Sequence, residues 1–74
     1  MIDDAVAEFK VLAKRYPDSA PTWAELGKLY TVLSKTYEDP KIRQSGIEAL
    51  EKAVQLDENY APAYYYLGES FYLS

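Results

Sequence analysis

Apolar positions in this 74-residue chain recur every three to four residues, and three short interruptions divide them into four runs. The interruptions are Tyr16-Pro17-Asp18-Ser19-Ala20-Pro21, Glu38-Asp39-Pro40 and Asp57-Glu58-Asn59-Tyr60-Ala61-Pro62. Proline removes a backbone donor and restricts the residue before it, so each interruption ends one helix or opens the next. The spacing predicts helices over about 2–15, 20–37, 40–56 and 61–73.

Each run carries one apolar stripe. The first contains Ala5, Phe9, Leu12 and Ala13; the second Trp23, Leu26, Gly27, Tyr30, Leu33 and Tyr37. The third contains Ile42, Gly46, Leu50, Ala53 and Val54, and the fourth Tyr64, Leu67, Gly68 and Phe71. No stretch alternates with a period of two long enough for a strand, so the expected fold class is all-α. Short connections make consecutive helices antiparallel neighbours. End signals agree with these bounds. Asp3 or Asp4 is placed to cap the first helix, and Lys14 and Arg15 suit the negative end of its dipole. Asp39-Pro40 reads as an N-cap followed by a first-turn proline. Glu48 and Lys52 are spaced for an ion pair on the outer face of the third helix.

One pattern occurs twice. Trp23-x2-Leu26-Gly27-x2-Tyr30 is answered by Tyr64-x2-Leu67-Gly68-x2-Phe71. This resembles helix A of the tetratricopeptide repeat, W-x2-L-G-x2-Y, which the first copy matches at every defined position. Ala5-x3-Phe9 with Pro17 resembles the helix B half, and Gly46-x3-Leu50 with Ala53 does so more loosely, with Glu58 where the family has proline. The resemblance covers nearly the whole of residues 1–74 in the order B, A, B, A: a helix B, one complete repeat, then a lone helix A. It implies antiparallel hairpins stacked as a superhelix. A glycine within a helix costs about 1 kcal/mol relative to alanine. Its recurrence at Gly27 and Gly68 is therefore expected to serve close helix approach, with Trp23 and Tyr64 as wedges between neighbouring helices.

The pattern departs from the family in length. Gly27 and Gly68 lie 41 residues apart, against the family's 34, and the seven extra residues fall between Tyr30 and Gly46. The stripe continues through Leu33, Tyr37 and Ile42, which predicts two helices each lengthened by about one turn, with the hairpin tip at Glu38-Asp39.

What the resemblance implies for function is protein or peptide binding on the face lined by the A helices. By position that face takes Ala24, Lys28, Thr31, Val32 and Lys35 from the second helix, and Tyr65, Glu69, Tyr72 and Leu73 from the fourth. The candidate partner-binding groove is Lys28, Thr31, Lys35, Tyr65, Glu69 and Tyr72. Some members clamp a partner's C-terminal carboxylate with Lys, Asn and Arg; the matching Ala24, Glu25, Pro62 and Tyr66 supply none of that chemistry. Phe71 and Leu73 lie on a terminal helix A with no helix B after it, and form a candidate self-association surface for a homo-oligomer.

Composition narrows the alternatives. The net charge of −4 and scattered basic residues argue against nucleic acid and against anionic membrane surfaces. With no cysteine and no histidine, disulfides, thiolate zinc sites and nucleophile–histidine pairs are all ruled out. The acidic pairs Asp3-Asp4, Glu38-Asp39 and Asp57-Glu58 fall at predicted helix ends, where capping explains them. The three glycines are isolated, so there is no phosphate loop. No cofactor, no metal and no catalytic residue is expected. The opening Met1-Ile2-Asp3-Asp4 is acidic, unlike a secretory signal, and no apolar run reaches membrane-spanning length. Tyrosine, present eight times, is the one conspicuous excess.

Overall fold

A computed structural model describes residues 2–72, with side chains from residue 4 to residue 71. It contains four helices: α1 (Ile2–Arg15), α2 (Ala20–Tyr37), α3 (Pro40–Leu56) and α4 (Ala61–Tyr72). No strand occurs among the described residues. The bounds of α1, α2 and α3 and the start of α4 are those expected from the stripes, the expected end of α4 at residue 73 lies outside the described residues, and the protein is all-α.

Local chemistry sets the ends. Ser19 has extended backbone and its Oγ accepts from the Thr22 N–H at 3.3 Å, capping α2. The indole N–H of Trp23 donates to the Pro17 carbonyl at 2.9 Å and ties the α1–α2 loop to α2. At the tip of the second hairpin Glu38 takes a left-handed conformation (φ 51°), with its N–H donating to the Ser34 carbonyl at 2.8 Å. Asp39 then caps α3 by accepting from the Lys41 N–H at 2.8 Å. The tip therefore falls at Glu38-Asp39, and the added length is helical on both sides: α2 has 18 residues and α3 has 17. Two smaller expectations are corrected. α1 already begins at Ile2, so Asp3 and Asp4 sit inside its first turn rather than ahead of it. Glu48 and Lys52 do not pair; the ion pairs among the described residues are Lys28–Glu25 and Lys35–Glu69.

Along its shortest axis the Cα trace spans 16 Å, deep enough for two layers of helices 8–10 Å apart and no more. α2 is the central element, touching α1, α3 and α4, whereas α1 touches only α2. Two apolar clusters result. Val6, Ala13, Leu26, Leu33 and Ala49 join α1, α2 and α3. Ala20, Ala24, Leu50, Ala53 and Ala63 join α2, α3 and α4, and the half-buried Trp23 packs against both clusters.

The α2–α3 contact is the tightest, and glycine makes it so. A Cβ on Gly27 would lie 2.4 Å from Leu50 Cγ and 3.1 Å from the Gly46 carbonyl oxygen. A Cβ on Gly46 would lie 3.0 Å from Tyr30 Cβ and 3.3 Å from the Gly27 carbonyl oxygen. The two glycines face each other across the hairpin. This corrects the expectation that Gly27 and Gly68 do equivalent work, because a Cβ on Gly68 would meet nothing within 4 Å. Tyr64 is likewise no wedge: it is 50% exposed. In α2 the glycine of the repeated stripe lies against Leu50 and Gly46 of α3; in α4 Leu67 packs against the second cluster while Tyr64, Gly68 and Phe71 are exposed.

Candidate functional site

The face shared by α2 and α4 was the expected groove. Contacts there pair Lys28 with Tyr66 and Thr31 with Ser70, so residue numbers rise together and the two helices run in the same direction. Between them lies a short buried polar seam. Thr31 Oγ1 donates to the Gly27 carbonyl at 2.9 Å and also shares a hydrogen bond with Ser70 Oγ at 2.9 Å. Ser34 Oγ donates to the Thr31 carbonyl at 2.7 Å. Such bonds do not merely tolerate burial; their geometry fixes how α4 sits along α2.

This placement revises the expected groove. Thr31 is 1% exposed and belongs to the packing between the helices, and Ala24 is buried against α3 and α4. A threonine in the middle of a charged face reads as a surface residue in sequence; only the Ser70 opposite it shows otherwise. Thr31→Val should lower stability by about 1 kcal/mol, the net worth of a lost buried hydrogen bond, and leave any partner binding unchanged. Chemical denaturation checks this; an unaltered midpoint would mean that the seam contributes nothing.

Lys28, Lys35, Tyr65 and Glu69 do reach the surface or its margin. Lys35 and Glu69 form an ion pair with each other, which neutralises both locally. Lys28 Nζ lies 3.7 Å from Glu25 Oε1 and 6.0 Å from the Tyr66 ring centroid. Tyr65 is 67% exposed and packs edge-on against Tyr66, with ring centroids 5.0 Å apart and planes at 80°. Val32 is partly exposed on the same side of α2. Tyr72 ends α4, but its side chain lies outside the described residues, as does the whole of Leu73. Phe71, the other proposed self-association residue, is exposed.

A second concavity was not foreseen. Between α1 and α3, over the face of α2, runs a groove of about 550 Å³ floored by Trp23, Leu26 and Tyr30. No Cα of α1 comes within 8 Å of one in α3, and between them Trp23 and Tyr30 of the floor stay partly exposed while Leu26 is buried. The sequence does contain the stripe, but nothing local says that α1 stops short of α3. A depression at the hairpin tip, near Lys35, Glu38, Asp39 and Arg43, is of mixed charge. Among the described residues there is no group of three or more metal-ligating side chains, and no helix long and apolar enough to cross a membrane.

Compared with known proteins, the chain matches no family model, no curated protein and no solved structure.

Proposed function

We propose that this chain is a protein–protein interaction module of the tetratricopeptide type, which presents the α2–α4 face to a peptide or partner protein. The observation that carries the reading is Tyr65. A large aromatic side chain stands two-thirds exposed on a helix and is held by its edge-on contact with Tyr66. An ordered aromatic with a polar tip supplies contact area and a hydrogen bond at small entropic cost. Lys28, whose Nζ lies 6.0 Å from the Tyr66 ring centroid, adds a positive charge, and the repeat motif Trp23-x2-Leu26-Gly27-x2-Tyr30 supports the family assignment.

The test is capture of partners by the intact chain against the double variant Lys28→Glu/Tyr65→Ala. Both side chains reach solvent, so helix content and melting temperature should hold while a groove partner loses about tenfold or more in affinity. A partner set identical for the two proteins removes the groove. A second reading, self-association, draws on the exposed Phe71 and the open face at Gly68. Light scattering decides it: Phe71→Asp should dissociate an oligomer, and a parent that stays monomeric at high micromolar concentration ends that reading.

A further inference from the structure

We infer that the α1–α3 groove is a second binding site, distinct from the α2–α4 face, and that its occupant is an acidic amphipathic helix. The floor is apolar and aromatic: Trp23, Leu26 and Tyr30. Val11, which is 59% exposed, and Ala49 extend it toward the two walls. Above the floor the charge is one-sided. Lys10 and Lys14 line the α1 wall and Lys52 the α3 wall, with Glu48 the one acid among the lining residues.

Three observations turn this groove into a site with a stated partner. The first is charge. The chain carries −4 overall, yet three of its eight basic residues ring this one groove. The second is that none of these lysines has an acidic partner: neither ion pair among the described residues includes Lys10, Lys14 or Lys52. Lys10 instead lies 5.9 Å from the centroid of the Tyr30 ring, over the floor. Unpaired lysines beside an apolar surface favour a ligand with acidic flanks and an apolar face, and disfavour one of the opposite sign. The third is shape. Two helix walls run in the same direction on either side of a helix floor, since α1 and α3 are both antiparallel to α2. The lining from Ser45 to Lys52 spans about two helical turns, roughly 10 Å. A helix laid between two helices meets such a floor with its i, i+3, i+4 and i+7 side chains. An added strand would need a free sheet edge, and no strand is present among the described residues.

Trp23 is the chain's single tryptophan and lies in the groove floor, so its fluorescence reports occupancy directly. The probe is a synthetic helical peptide without aromatic residues, with leucine at i, i+3, i+4 and i+7 and glutamate at the flanking positions. Its counterpart carries lysine in place of glutamate. The acidic peptide should change Trp23 emission saturably, weakening as salt is raised, and the lysine peptide should not. Lys10→Glu/Lys14→Glu turns the rim from three positive charges against one negative to one against three. That variant should lose about tenfold or more in affinity for the acidic peptide and gain binding of the lysine peptide. Circular dichroism verifies that it stays folded, and Val11→Asp, at another exposed position, gives an independent loss. Tyr65→Ala should bind the acidic peptide as the parent does, which separates this site from the α2–α4 reading. The proposal is overturned if the acidic peptide does not bind, if both peptides bind alike, or if the rim variant binds the acidic one undiminished. It is equally overturned if an extended proline-rich peptide binds more tightly, or if the free chain proves to be a dimer that Val11→Asp dissociates.

Discussion

Leu50→Ala will lower the stability of this protein by about 2–5 kcal/mol, enough to remove most of its cooperative unfolding transition. Leu50 is 0% exposed and is the largest of the fully buried side chains. Its neighbours in the cluster are Ala20, Ala24, Ala53 and Ala63, all small. Alanine buries little area per residue, so Leu50 is the one large side chain at the fully buried centre of this cluster, with Trp23, Val54, Leu56, Tyr60, Tyr66 and Leu67 packed half-buried around it. The buried alanines beside it cannot swing in to fill the space, so a cavity adds to the lost transfer free energy. The measurement is urea denaturation followed by circular dichroism at the helix band. A midpoint within error of the parent would show that the α2–α3–α4 cluster is not what holds the fold together.

The second large effect is a difference in sign between two positions of the same motif. Gly27→Ala places a methyl group 2.4 Å from Leu50 Cγ and 2.7 Å from Leu50 Cδ2, a clash that a fully buried leucine cannot relieve by turning outward. Overpacking of this kind costs about 1–3 kcal/mol and outweighs the gain in helix propensity of about 1 kcal/mol. At Gly68 the same methyl group meets nothing within 4 Å, so the propensity gain stands alone and Gly68→Ala should stabilise by about 1 kcal/mol. Thermal melts of the two variants check both signs. A double variant, Gly27→Ala/Leu50→Ala, tests the cause: the new methyl enters space that the leucine vacated, so the two losses should be less than additive. Strict additivity would mean that Gly27 and Leu50 are not in contact.

The four helices were legible in the residues because the signals that make them are short-range. Stripe periodicity, the prolines at 17, 21, 40 and 62, Ser19 and Asp39 each act within a few residues of their own position. The lengthened hairpin was legible for the same reason, since Leu33, Tyr37 and Ile42 continue the stripe up to the tip. The candidate site was legible only in part. Lys28, Lys35, Tyr65 and Glu69 lie near the surface as expected, but Lys35 and Glu69 satisfy each other and Thr31 is buried against Ser70. Those two contacts join residues 34 and 39 positions apart, and no local pattern encodes them.

Which copy of the repeated stripe is covered was decided only by packing. Trp23, Gly27 and Tyr30 have the same spacing as Tyr64, Gly68 and Phe71, and both sets sit on one helix face. Periodicity dictates the face; it cannot say what, if anything, lies against it. In α2 the answer is α3, whose Gly46 and Leu50 require Gly27 to have no side chain. In α4 Gly68 faces open space. The α1–α3 groove follows the same logic. Its lysines and its aromatic floor are all in the sequence, but the separation of α1 from α3, whose Cα atoms stay more than 8 Å apart, belongs to the tertiary structure alone.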